Sequence, residues 1–142
     1  MSTAAVEVHN ATHSKRWMVW AGWILTAMAV SVFVWSGYMK LTGNPGYVAE
    51  WERLGYSVSA LRTIGLLQLT CLTLYLIPRT SVLGVVLLTG YLGGAISSYV
   101  RIGEPAFANA FQVTIALLAW GGLYLREERL WSLLPFRRDA AR

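Results

Sequence analysis

The chain has 142 residues, of which 56% are hydrophobic and 13% charged, with a formal net charge of +5. A soluble domain carries about 25% charged residues, so the composition excludes an ordinary soluble globular fold and points to one polytopic membrane domain. The cations flank apolar runs rather than coating a polar face, which excludes nucleic acid as a partner and suits a membrane surface.

Residues 1–15 are small and polar without apolar periodicity, and read as a mobile cytoplasmic tail. They contain both histidines, His9 and His13. No histidine lies in a span to ligate haem, and a mobile tail offers no metal geometry, so no metal site is expected. Residues 16–135 read as a four-helix membrane domain and 136–142 as a basic tail. The first span runs from about Trp17 to Met39. Lys15-Arg16 and Ala27-Met28-Ala29 resemble the ends of a signal peptide, but the apolar run continues to Tyr38, so an uncleaved helix is expected. Trp20, Trp23, Ala27, Ser31, Trp35 and Tyr38 fall on one face, whose last part mixes polar and aromatic groups as a ring-bearing ligand such as a quinone would require.

Lys40 to Ser57 is the long polar connection. Asn44-Pro45 reads as a helix N-cap followed by proline at the first helical position, and Gly55 as the stop. Between them Val48, Trp51 and Leu54 share a face, while Glu50 and Arg53 at i, i+3 can pair. This short amphipathic helix would lie in the interface or fold over the bundle as a lid. The second span, about Val58 to Ile77, places Arg62, Gly65, Gln68, Leu72 and Tyr75 on one face. Gln68 lies near mid-membrane, where an unpaired amide is costly, so it should face protein or ligand. It also contains the one cysteine, Cys71, which excludes an internal disulfide and a dithiol centre.

After the turn Pro78-Arg79-Thr80, the third span runs to Arg101, long enough as a helix to cross about 30 Å of hydrocarbon. Gly90, Gly94, Ser97 and Arg101 lie on one of its faces. Gly90, Gly93 and Gly94 are the candidate helix-packing positions, because small residues let backbones approach closely in lipid. The fourth span, about Phe107 to Leu125, aligns Asn109, Gln112, Ala116 and Trp120. In the basic end that follows, Leu130-Trp131-Leu133-Leu134 would lie on the membrane surface. Lys15, Arg16, Arg79, Arg126, Arg129, Arg137, Arg138 and Arg142 fall on one side, against Lys40, Arg53, Arg62 and Arg101 on the other. That asymmetry places both termini in the cytoplasm.

Ser36-Gly37-Tyr38-Met39-Lys40-Leu41, Leu54-Gly55-Tyr56, Arg62-Thr63-Ile64-Gly65, Tyr75-Leu76-Ile77-Pro78-Arg79-Thr80, Leu88-Thr89-Gly90-Tyr91-Leu92-Gly93-Gly94-Ala95 and Val100-Arg101-Ile102-Gly103-Glu104-Pro105 resemble, in order, the motifs of the DoxX-like family. The resemblance spans about Trp17 to Pro135 and implies an all-α, four-helix bundle in a bacterial inner membrane. It further implies association with a redox system, as a subunit beside a redox partner protein. Relatives usually carry Glu where this chain has Gln68, and often His where it has Tyr99, so a titratable pair is replaced here.

Three functions follow. The first is a membrane subunit or binder of an apolar, quinone-like ligand, with no intrinsic cofactor beyond a bound quinone. The second is a small membrane enzyme of isomerase or cyclase type, with Glu50, Arg62, Tyr99 and Arg101 as candidate catalytic groups. The third is a structural protein without chemistry of its own. The candidate ligand-pocket residues are Trp35, Tyr38, Lys40, Arg62, Gln68, Tyr91, Tyr99 and Arg101. Of these, Tyr38, Arg62, Gln68, Tyr99 and Arg101 should converge beneath the Lys40–Ser57 segment. Expected partners are membrane lipid, an apolar small molecule and a redox protein, with self-association left open.

Overall fold

A computed structural model describes residues 3–127 and Leu130, with side chains from Arg16 onward except that of Ala108. Five α-helices account for almost all of it: α1 (Thr3–Thr42), α2 (Pro45–Arg53), α3 (Val58–Leu76), α4 (Ser81–Arg101) and α5 (Ala110–Arg126). A 3₁₀ turn, Ala106–Asn109, leads into α5. Residues Arg16–Thr42 of α1, together with α3 and α4, are long and apolar enough to cross a bilayer, and α5 is a shorter apolar helix. The helices form a ring in the order α1, α3, α4, α5, each touching the next, with α5 closing on α1. Large apolar side chains such as Trp17, Leu66, Leu83 and Leu117 stand exposed around the outside, where lipid is their solvent.

The expected helices are present, with two differences at the ends. Residues 3–15, read as a mobile tail, have helical backbone continuous with α1. Extending an existing helix costs far less than nucleating one, and Ala4, Ala5 and Ala11 favour it. Leu130, expected on the membrane surface, is instead buried in the core. The rest of that segment and the basic tail 136–142 lie outside the described residues.

The buried face of α1 is Gly22, Thr26, Ala29, Phe33, Gly37 and Lys40, at steps of three and four. The face of Trp20, Trp23, Trp35 and Tyr38 is turned outward. Between them the helices meet at glycines. A Cβ on Gly22 would lie 3.0 Å from the Gly122 carbonyl oxygen of α5. One on Gly84 would lie 2.2 Å from the backbone nitrogen of Tyr75, so α3 and α4 are in backbone contact there. The expected packing positions Gly90, Gly93 and Gly94 are corrected by the same measure: a Cβ at any of them meets nothing within 4 Å. Helical phase decides this. Gly84 lies with Ser81, Val85, Leu88 and Leu92 on the buried face of α4, whereas the other three lie outside it.

Candidate functional site

At the end of the bundle where α1 stops, the helices leave a cavity of about 600 Å³ roofed by α2. The roof is built by local signals. Asn44 caps α2 by accepting a hydrogen bond from the Gly46 amide at 3.1 Å, and Pro45 supplies the first helical residue. Gly55, at φ 84°, turns the chain back into α3. Arg53 donates to Glu50 at 2.9 Å and to Glu104, beyond α4, at 2.5 Å. The Arg101 guanidinium donates to the carbonyl of Leu54, which is buried just past the end of α2. The Tyr56 and Ser98 hydroxyls meet at 2.8 Å. The whole roof thus rests on the α4 end of the bundle.

Below it lies Lys40, only 2% exposed although it ends a membrane span. Gly65 of α3 lets α1 approach so closely that an added Cβ would sit 3.0 Å from the Lys40 Cβ. This brings Lys40 beside Gln68, one turn further along α3. The Lys40 ammonium donates to the Ser36 hydroxyl and, at 2.8 Å, to the Gln68 side-chain oxygen. Gln68 is fully buried and its orientation is fixed. Its amide nitrogen donates to the Phe33 carbonyl at 2.7 Å, and its oxygen also accepts from the Tyr91 hydroxyl at 2.7 Å. Three rings surround the ammonium, with centroids of Trp51, Tyr47 and Tyr91 at 5.2, 5.7 and 5.8 Å. Such ring faces stabilise a cation without neutralising it. Among the described residues no carboxylate forms an ion pair with Lys40. Phe33, Leu92, Phe111 and Ile115 supply apolar wall.

Glu50 also lines the cavity. The Arg53 guanidinium hydrogen-bonded to it holds its carboxyl below the usual carboxylate range, with Tyr99 adding a smaller effect in the same direction. At neutral pH Glu50 is therefore an ion committed to Arg53 rather than a base.

Of the pocket residues expected from sequence, Trp35, Lys40, Gln68, Tyr91 and Tyr99 do line one cavity, and so does Glu50 from the catalytic candidates. Tyr38, Arg62 and Arg101 do not. Tyr38 is 57% exposed on the outward face of α1, Arg62 is exposed at the start of α3, and Arg101 is spent on the roof. The expected convergence is corrected accordingly: Gln68 and Tyr99 share the cavity, with Lys40 as its cation in place of either arginine. Sequence reasoning missed Ser36, Phe33, Tyr47, Phe111, Gln112 and Ile115 as lining residues. Tyr47 had a signal, since it stands four residues before Trp51 on an amphipathic helix, and i, i+4 positions share a face.

The family model of the DoxX-like family matches residues 24–122 of the chain. No curated protein and no solved structure matches the sequence.

Proposed function

Because the chain belongs to the DoxX-like family, and every cavity residue falls inside the matched region, we propose that it binds an apolar, ring-bearing ligand of the quinone class for a redox system in the bacterial inner membrane. In this reading it is a membrane subunit with both termini cytoplasmic, and the electrons are carried by its ligand and by a partner protein. One observation carries the proposal. A buried ammonium points into an apolar, aromatic cavity large enough for a small ring ligand, and its partners are all neutral. Polar groups that fix orientation within a mostly apolar wall are the usual make-up of a small-molecule site. A carbonyl oxygen of a quinone would accept from Lys40, with its ring against Trp51 and Tyr91.

Titration of the protein in nanodiscs with decylubiquinone, read by quenching of tryptophan fluorescence, tests this. Saturable quenching beyond that from partition into empty discs is expected. Lys40→Gln should weaken it about tenfold or more, the worth of a hydrogen bond from a charged donor. Quenching that never saturates, or that Lys40→Gln leaves unchanged, would defeat the proposal. A second reading, acid–base catalysis on an apolar substrate, is favoured by Tyr99, which shares the cavity wall with Lys40 and could donate to a developing oxyanion. That reading requires turnover that Tyr99→Phe abolishes while binding persists.

A further inference from the structure

We infer that the ligand of this cavity is a monoanionic amphiphile, whose ionised oxygen seats on Lys40 and whose apolar body lies between Phe33, Leu92 and Ile115. The inference rests on the proposed binding site and specifies the charge of what it takes.

A buried lysine either loses its proton or keeps it among acceptors. Here the acceptors are in place. The Ser36 hydroxyl and the Gln68 oxygen both receive hydrogen bonds from the amine nitrogen. Gln68 cannot turn its amide nitrogen toward Lys40 instead, because that nitrogen is held by the Phe33 carbonyl and the oxygen also accepts from Tyr91. With the Ser36 carbonyl oxygen at 3.5 Å as a third acceptor, the site matches the three hydrogens of an ammonium.

Among the described residues that ammonium has no ion-pair partner. A buried ion without one is costly, and proteins normally pair it. The acid on the cavity wall, Glu50, is held by Arg53, which also binds Glu104. The three rings around Lys40 add attraction but no negative charge. The position in direct contact with Lys40 is then left for a negative charge on the ligand. One cation calls for one charge, so a carboxylate, enolate or phenolate head fits better than a phosphate dianion. The apolar wall asks for a greasy body, and about 600 Å³ accommodates a ring system with a short tail or a single acyl chain.

Two pairs of probes, matched in body and differing in charge, decide the matter in nanodiscs of phosphatidylcholine. One pair is a 2-hydroxy-3-alkyl-1,4-naphthoquinone, ionised at pH 7.5, and its neutral 2-methoxy ether. The other is oleate and oleyl alcohol. Each is titrated against wild type, Lys40→Met and Gln68→Glu, with binding to empty discs subtracted. Gln68→Glu places a carboxylate where the wild-type oxygen already lies 2.8 Å from the ammonium, supplying the counter-charge from within. In wild type the anion of at least one pair should bind about tenfold tighter than its neutral partner, the difference between a charge-assisted and a neutral hydrogen bond. Both variants should erase that preference, and Gln68→Glu keeps the test available if Lys40→Met fails to fold. Equal affinity of anion and neutral partner in both pairs would overturn the inference, and binding of the two naphthoquinones would then leave the quinone-class reading standing. Selective binding of oleate with no binding of either naphthoquinone would uphold the anionic site and remove the ring-bearing ligand. Binding of none of the four would remove both.

Discussion

The contact between α3 and α4 at Gly84 gives the sharpest test of the fold. In Gly84→Ala the new Cβ would lie 2.2, 2.4 and 2.6 Å from the Tyr75 nitrogen, the Tyr75 Cα and the Leu74 carbonyl carbon. All three are backbone atoms, so no side chain can swing aside. Ordinary carbon contacts begin at about 3.5 Å, and the helices would have to part by roughly 1 Å. Overpacking of this kind costs about 1–3 kcal/mol. Parting also strains the Tyr75 hydroxyl, which donates to the Ala119 carbonyl at 2.9 Å, and a lost hydrogen bond of that type adds about 1 kcal/mol. The expected loss is therefore about 2–4 kcal/mol. Gly90→Ala and Gly94→Ala meet open space and should gain about 0.5–1 kcal/mol from helix propensity alone. Thermal and denaturant unfolding of the three variants in one detergent would separate them. Similar losses at all three positions would refute the packing argument, as would a harmless Gly84→Ala.

Lys40→Met should stabilise the ligand-free protein by about 1–3 kcal/mol, since a buried cation with no ion-pair partner among the described residues is replaced by an apolar chain of similar length; a lower melting temperature would show that the ammonium holds the helices together. Arg53→Ala breaks two solvent-screened ion pairs that contribute little, so global stability should barely change while amide exchange across Pro45–Arg53 accelerates. Arg53 holds the Glu50 carboxyl below its ordinary 4.5, so the pair's contribution is full above pH 4.5 and is lost as pH falls through the lower folded value. Exchange of α2, corrected for its intrinsic pH dependence, should rise in that acid window, and Glu50→Gln should flatten the rise. A cysteine at Thr42 should react with an impermeant reagent on intact cells and one at Arg137 should not; the reverse pattern would invert the topology.

Spans, turns and caps were legible because each has a local cause. Asn44-Pro45 and Gly55 bound α2 in sequence and in structure alike. Which face of each span turns inward was not legible, and lipid is the reason. In water the outward face must be polar, so periodicity marks the core. In a bilayer both faces are apolar, and the tryptophans of α1 look inward in sequence while standing outward in space. Small residues mislead in the same way: Gly84 and Gly90 are alike in composition, and only the position of α3 separates them. Membrane level was readable, since Lys40 and Arg101 do meet the roof, but level does not say which way a long side chain turns. Arg101 turns to Leu54 and Lys40 to Gln68. Gln68 itself was legible because an amide at mid-membrane had to find partners, and it found three.

The two ends of the bundle divide the tasks of stability and binding. At one end Gly22 meets Gly122, and Gly84 meets Tyr75, backbone to backbone. Arg126 closes that end, its guanidinium 4.7 Å from the Trp23 ring centroid and 5.0 Å from that of Tyr75, while it donates to the Tyr75 carbonyl at 3.2 Å. The glycine contacts are short and made by backbone atoms, which cannot swing aside. At the other end the cavity opens beneath α2, a helix with no buried residue of its own. Its ties to the bundle are few: the Arg53–Glu104 ion pair, the Arg101 hydrogen bond to the Leu54 carbonyl and the Tyr56–Ser98 contact, of which the surface ion pair contributes little. Local opening follows the weakest contacts, so the roof should part long before the glycine contacts do. A ligand can then reach Lys40 without disturbing the helices that position it. Substitutions at the outer ties of the roof, Arg53 or Glu104, should accordingly change the rates of entry and exit together and leave affinity nearly fixed, whereas substitutions at Lys40, Gln68 or the ring of Trp51 should change affinity through the rate of exit.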